Sequence, residues 1–418
     1  MRLLLILCCI TVTWGGPSPH ADLVQKYVEA EYGGRFSNNI IADALTDVPG
    51  LISRYNYPVE VHTVTTPDGY VLQMHRIPHG RDRNNRPGNK TAVFLQHGML
   101  SSSADYVIVG PENSLAYRLA EEGYDVWMGN ARGNYYSRKH THLDPDDRSN
   151  LDFWRFSWEE IGSIDMPTCI DYILDLKGHK KLHFVGFSQG GTVFLVMGAL
   201  RPEYSEKIIS FQGLAPASYF VNNEYGFIKA IAPYEKVLMV LAADAGIGEF
   251  LGRSNIFTAL GIAACSDQSF LQPLCLAVPI LGNSFQRLNA TMLPAYIGHA
   301  PAGMSIRQLA HYGQSINNKS FRRYDLGLAG NMQNYGQFYP PEYDLSGITC
   351  PSYIHYSYRD KLVNYRDVEL MSTKLGGPVT MYPVEDRLFT HLDFCWGVDQ
   401  VKMYHGNVLE GMRLAENL

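Results

Sequence analysis

The chain has 418 residues, 46% of them hydrophobic and only 18% charged, which is enough apolar material for one large domain with an insertion or for two domains. The formal net charge is −6 and no long basic run occurs, which argues against nucleic acid as a partner. The first residues, MRLLLILCCITVTWGGPSP, pass from basic Arg2 through an apolar run to small residues before Pro17. That order reads as a secretory signal peptide over residues 1–16. Its apolar run is too short to span a bilayer, and no other stretch of the chain is long enough, so no transmembrane segment is expected. The mature chain is expected to be soluble and secreted or lysosomal. Cys8 and Cys9 leave with the leader, and Cys169, Cys265, Cys275, Cys350 and Cys395 remain. Five is odd, so at least one thiol stays unpaired, and the best local pair is Cys265 with Cys275. Asn89, Asn289 and Asn318 each open an N-x-S/T sequon and are candidate glycan acceptors in an exported chain.

Further along, VEVHTVTTPDGYVLQMHRI reads as a hairpin turning at Pro67-Asp68-Gly69. TAVFLQHG is a short apolar run ending in a turn, the pattern of a buried parallel strand. ENSLAYRLAEEG has helical spacing, and YDVWMGN is another strand. SWEEIGSIDMPTCIDYILDLKG opens with Ser157 and Glu160 in capping-box spacing, contains Pro167, and closes at Gly178, so a helix is predicted. KLHFVGF is a strand followed directly by the helix GGTVFLVMGAL. Strand alternating with helix implies a mostly parallel sheet with helices on both faces. The rhythm fails between residues 217 and 345, where apolar, glycine-spotted segments predict a mainly helical insertion. It resumes with the strands CPSYIHYSY and GPVTMYPV, so residues 17–216 and 346–418 form the expected core.

The chemistry centres on FVGFSQGGT. The pattern G-x-S-x-G is short enough to arise by chance in a glycine-rich chain, so the weight falls on its context. A nucleophile elbow needs a strand, a sharp turn carrying the serine, and a helix, with glycines where backbones come too close for side chains. KLHFV-GFSQG-GTVFLVMGAL supplies those parts in order, which makes Ser188 the candidate nucleophile. A serine hydroxyl needs a histidine to take its proton and an acid to orient that histidine. In this architecture the chain order is serine, acid, histidine. Asp360 follows the late strand YIHYSY, and His391 follows the last strand. Asp367 and Asp393 are rival acids, the first on the next helix and the second close to His391 in sequence. The oxyanion donors are expected to be the backbone N–H groups of Gln189, after the nucleophile, and Met99, in the QHGML loop that His97 could brace. His140 and His142 form an H-x-H without a third ligand and read as surface loop. His179 and His183 flank a strand, and Cys169 reads as core. No metal and no cofactor are expected.

These residues resemble the acid lipases, the gastric and lysosomal acid lipase group, in its insect-type version. DGYVLQMHRIPHGR, VFLQHGMLSSSADYV, LAEEGYDVWMGNARGNYYSRKH, FWRFSWEEIGSIDMPTCIDYIL and THLDFCWG all sit in the family's order and spacing, from about Val48 to the C-terminus. The resemblance implies an α/β-hydrolase core with a cap and lid. It implies Ser188, Asp360 and His391 as nucleophile, acid and base, Met99 and Gln189 as oxyanion donors, and Cys265–Cys275 as the cap disulfide. Phe187 departs from the histidine common in the family, and Ser357 falls in a stretch that is usually glycine-rich. The implied function is hydrolysis of lipid carboxylic esters, acylglycerols or sterol esters, at an interface. A carboxylesterase on short soluble esters, or a catalytically silent lipid-binding protein on the same fold, are the alternatives the sequence leaves open.

Overall fold

The computed structural model describes residues 38–223, 229–230, 232–253 and 287–417. The predicted leader and both Cys265 and Cys275 lie outside the described residues. Cys169, Cys350 and Cys395 are buried free thiols.

β1 (Glu60–Thr65) and β2 (Val71–Ile77) form the predicted hairpin, with Thr65 opposite Val71 across the Pro67-Asp68-Gly69 turn. β3 (Ala92–Gln96), β4 (Asp125–Met128) and β5 (Leu182–Phe187) are buried along their whole length. Their near-continuous apolar runs are what a parallel strand covered on both faces requires. β6 (Ile208–Leu214) was not singled out from the sequence. Two short strands, β7 (Glu249–Phe250) and β8 (Met304–Ser305), pair apart from the main sheet. β9 (Ser352–Ser357) and β10 (Val379–Val384) complete it.

The eight-stranded sheet has the order β1-β2-β4-β3-β5-β6-β9-β10. β2 meets its neighbours antiparallel, and every pairing from β4 onward is parallel. Connections leave β3 in opposite directions, to β4 on one side and eventually to β5 on the other. The crevice beyond the carboxyl ends of β3 and β5 is therefore the topological switch point, where open α/β sheets bind ligands.

The predicted capping box is present: Ser157 Oγ accepts from the Glu159 N–H, and the Glu160 carboxylate takes the Ser157 N–H at 2.7 Å. The helix is continuous through Trp158–Glu160, Ile161–Asp165 and Met166–Lys177, but the middle stretch is a wider π-turn. That turn comes just before Pro167, which lacks an N–H and is tolerated where a helical stretch begins. Gly178 ends the run with φ +64°.

Helix Gln189–Leu200 packs on the sheet through Phe194, whose ring lies face to face with Phe211 of β6 at 3.8 Å and close to Phe184 of β5. Burial of each such ring contributes roughly 2–3 kcal/mol. Between β6 and β9 the described chain is mostly helical: Glu235–Asp244, Leu293–His299, Ile306–Asn318 and Gly327–Tyr335. Ser305 Oγ anchors this insertion to the core by donating to the Phe156 carbonyl at 2.5 Å. No helix among the described residues is long and apolar enough to cross a membrane.

Candidate active site

Ser188 stands between β5 and helix Gln189–Leu200 with φ +51° and ψ −113°. A non-glycine residue adopts such a backbone at a cost of roughly 1–3 kcal/mol, and only where its surroundings enforce it. Here the Ser188 N–H donates to Leu214 O at 2.9 Å, while Ser188 O accepts from the N–H groups of Gly191 at 2.9 Å and Ala217 at 3.2 Å. The glycines follow from the same crowding. A Cβ on Gly190 would lie 2.0 Å from Gln96 O, and one on Gly186 would lie 2.6 Å from the Gly190 backbone.

The turn after β9 and the loop after β10 bring two distant residues to this serine. His391 Nε2 is 2.8 Å from Ser188 Oγ, and His391 Nδ1 is 2.6 Å from Asp360 Oδ2. Asp360 Oδ1 accepts the N–H groups of Leu362 and Val363 at 2.9 and 2.8 Å, so the carboxylate is fixed from both sides. With Nδ1–H donating to the carboxylate, Nε2 is left to accept the serine proton. Ser357, the departure from a glycine-rich pattern, has a use here: its Oγ donates to Phe389 O at 2.5 Å and ties the acid's loop to the histidine's. The rival acids are engaged elsewhere. Asp367 accepts from the backbone and side-chain amides of Asn222. Asp393 Oδ2 accepts the Thr390 N–H and O–H at 2.6 and 2.8 Å.

The loop after β3 runs directly against the serine. A Cβ on Gly98 would sit 3.4 Å from Ser188 Cβ and 3.0 Å from the Phe187 ring, so the residue before Met99 lies against the elbow. Gln189 is the first residue of its helix, where an N–H has no intrahelical acceptor. His97 braces the loop. Its Nε2 accepts the Ala131 N–H at 3.1 Å, which leaves Nδ1–H to donate to Gly98 O at 2.7 Å. Burial pushes His97 down to about 4 and keeps it neutral in that role.

Asp105 was not found from the sequence. Its carboxylate accepts from the Gly98 N–H at 3.3 Å, the Ser101 O–H at 2.5 Å and the Trp396 indole N–H at 3.1 Å. It thereby links the Met99 loop to the helix Asp393–Trp396 that follows His391. Burial raises it to about 6. Phe187 lies with its ring 5.0 Å from that of His391.

The other histidines make structural bonds. His140 Nε2 lies 2.8 Å from Asp68 O, and its Nδ1 accepts the His142 N–H at 3.0 Å. His183 sits between Ser210 and Glu416, and His179 meets Asn89. Asn89, Asn289 and Asn318 are all exposed. A cavity of about 30 Å³ lies between the helices Glu235–Asp244 and Ile306–Asn318, and Ser188 does not line it. That volume suits a water molecule, not an acyl chain.

A mostly parallel sheet of this order, with a strained serine between strand and helix at its switch point, defines an α/β hydrolase. A family model described as the alpha/beta hydrolase fold matches residues 91–230, and one described as a partial alpha/beta-hydrolase lipase region matches residues 48–110. The chain is 41% identical to Lipase 1 of Drosophila melanogaster over 375 residues, 89% of this chain and 81% of that one. It is 35% identical to the gastric triacylglycerol lipase of Bos taurus over 383 residues, 91% of this chain and 94% of that one. A solved Sulfolobus solfataricus protein superposes with a TM-score of 0.53 at 16% identity, over 86% of this chain and 99% of that one, a likeness of fold alone. The chain belongs to the acid lipase family and is a serine ester hydrolase.

Proposed function

We propose that this protein is an exported lipase, secreted or lysosomal, that cleaves acylglycerols or sterol esters through an acyl-enzyme on Ser188. The observation that carries the reading is the unbroken hydrogen-bond chain from Ser188 Oγ through His391 to Asp360, 2.8 and 2.6 Å long. In the reaction, Ser188 Oγ attacks the ester carbonyl carbon while His391 Nε2 takes its proton. Negative charge gathers on the carbonyl oxygen, where the N–H groups of Met99 and Gln189 are the donors. Asp360 holds the imidazole in the accepting tautomer and stabilises the imidazolium. His391 then returns the proton to the leaving alcohol oxygen as the C–O bond breaks. A water molecule, deprotonated by the same nitrogen, releases the fatty acid and restores Ser188.

The lipid substrate is supported from two directions. Relatives carry the names Lipase 1 and gastric triacylglycerol lipase. The insertion also leaves Tyr234, Val237, Val240, Leu241, Leu328, Met332, Phe338 and Tyr339 exposed, an unusual amount of apolar surface for a protein meeting only water. We propose residues 217–345 as the cap, residues 1–16 as the signal peptide, Cys265–Cys275 as the cap disulfide, and Asn89, Asn289 and Asn318 as glycan acceptors.

Fatty-acid release from emulsified triolein and from soluble p-nitrophenyl acetate tests the reading. Triolein hydrolysis that falls by about three or more powers of ten in Ser188→Ala is the expected result. Hydrolysis of the acetate alone makes the protein a carboxylesterase. Silence on both, from folded protein, makes it a lipid-binding protein.

A further inference from the structure

One short piece of the cap bonds to the peptide beyond Met99 and to the side chain of Gln189, the residues of the two expected oxyanion donors. Ala302 N–H donates to Leu100 O at 2.7 Å, one peptide beyond Met99, and Leu100 is held at φ +60°. Ten residues later, the Tyr312 hydroxyl donates to Gln189 Oε1 at 3.0 Å, and Gln308 Nε2 donates to the same oxygen at 3.3 Å. Gln189, Gln308 and Tyr312 are 3%, 2% and 7% exposed, so these bonds form away from competing water.

The segment is itself rigidly mounted. Ser305 and Gln308 form a reciprocal capping box at the start of helix Ile306–Asn318. Ser305 Oγ reaches the Phe156 carbonyl, β8 pairs with β7, and the Tyr312 ring stands edge-on to Trp158 at 4.3 Å.

We infer that Ala302–Tyr312 sets the spacing of the Met99 and Gln189 amides, making Gln308 and Tyr312 positioning residues for the oxyanion hole. The inference rests on the assignment of Ser188 as nucleophile. Its physical basis is leverage. The Gln189 side chain and its amide share one Cα at the first residue of a helix, so fixing Oε1 restricts rotation of that residue. A backbone bond to Leu100 does the same for the peptide next to Met99. Oxyanion stabilisation depends on donors already aimed at the oxygen that charges up, and displacements near 1 Å can cost about a hundredfold in rate. The cap thus contributes to the chemistry as well as covering the site.

Two substitutions in the full chain test this. Tyr312→Phe removes one donor and keeps the ring. Gln308→Glu keeps the Ser-x-x-Glu capping pair but replaces the donor with an acceptor. Each is measured for kcat and KM on a soluble p-nitrophenyl ester, for inhibition by a trifluoromethyl ketone, and for thermal unfolding. The ketone adds to the serine as a tetrahedral oxyanion, so its affinity reports the donors directly. The expected result for Tyr312→Phe is a kcat roughly tenfold lower, KM within about twofold, and ketone affinity reduced by the same factor as kcat. An unchanged midpoint with that pattern excludes a merely structural role. Full kcat in Tyr312→Phe, or a loss confined to KM with ketone affinity intact, overturns the inference. Should Gln308→Glu not fold, Tyr312→Phe decides alone. Ser188→Ala run beside them separates the failures. If it stays active, the nucleophile assignment falls and the inference with it. If it is inactive while Tyr312→Phe is normal, the inference falls alone.

Discussion

Lowering the pH from 7.5 to 5 should destabilise this protein through its buried histidines. Burial pushes His75, His299, His355 and His405 down to about 3, and His97 and His311 down to about 4. The geometry agrees, since none of the six donates to a carboxylate. His75 meets Ser103 and Gln73, His299 meets Asp43 O, His311 meets Ser157 and Arg322 O, and His355 meets Gln212. Both ring nitrogens of His405 lack a partner among the described residues. For a base whose folded pKa lies below its unfolded value near 6.5, the unfolded chain binds protons that the native state refuses. The penalty is absent well above pH 6.5 and grows as pH falls towards the folded value. At pH 5 it is about 2 kcal/mol for each histidine and about 12 kcal/mol for the six. Asp105 and Asp393, raised to about 6 by burial, work in the opposite sense. Their folded pKa is above the unfolded one, so they restore about 3 kcal/mol together as pH falls to 5. Among these eight groups the histidines outweigh the two carboxyls, while the raised carboxyls of Asp43, Asp165, Glu235, Glu249 and Asp367 also act against the loss. Urea unfolding followed by tryptophan fluorescence at pH 7.5, 6.5, 5.5 and 5 measures it, with a midpoint that falls steadily. His405→Leu should remove about one proton from the slope. A midpoint equal or higher at pH 5 than at pH 7.5 would refute the reasoning.

Asp360→Asn should leave the fold intact and lower kcat by roughly four powers of ten, because the imidazole loses its oriented tautomer. Asp367→Asn, whose carboxylate serves Asn222, should stay within about threefold in kcat, and the reverse outcome in steady-state kinetics would exchange the two acids. Arg132 is buried and bonded to buried Asp165 and to Asp68, both at 2.6 Å. Arg132→Met leaves Asp165 unpaired and should destabilise the protein by about 3–5 kcal/mol in urea, with activity per folded molecule retained. Asp105 gains a proton as pH falls through about 6, and three donors then face a carboxyl that is itself a donor. Asp105→Asn should therefore show at pH 7.5 a kcat roughly tenfold low with KM unchanged, and an unchanged kcat would remove Asp105 from the loop's support.

What the sequence revealed and what it hid divide along a physical line. β3, β4 and β5 were legible because strands buried on both faces must be apolar throughout. The elbow was legible because Gly186 and Gly190 are demanded by backbone crowding, and backbone crowding leaves glycine in the sequence. β6 was hidden by Ser210 and Gln212, two fully buried polar residues that interrupt its apolar run. The fold gives each a partner on a neighbouring strand: His183 of β5 lies 2.8 Å from Ser210 Oγ, and His355 of β9 lies 3.0 Å from Gln212 Oε1. Each hydrogen bond offsets part of the cost of burying its partners, but neither side announces the other along the chain. Asp105, Gln308 and Tyr312 were hidden in the same way, since Trp396 and Gln189 lie more than a hundred residues from them.

Family membership carries the fold but not the response to acid. Fold is fixed by backbone geometry and travels with the sequence pattern, and relatives at 41% and 35% identity match this chain over most of its length. Response to acid is set instead by side chains that alignment of the motifs does not weigh. The Phe187 ring stands 5.0 Å from that of His391 and carries no titratable group. Asp105, which accepts the Gly98 N–H, changes state near pH 6. The buried neutral histidines lose their tolerance of acid over the same range. Acid therefore acts on the support of the Gly98 loop through Asp105 and on global stability through the buried histidines, two effects that depend on different residues.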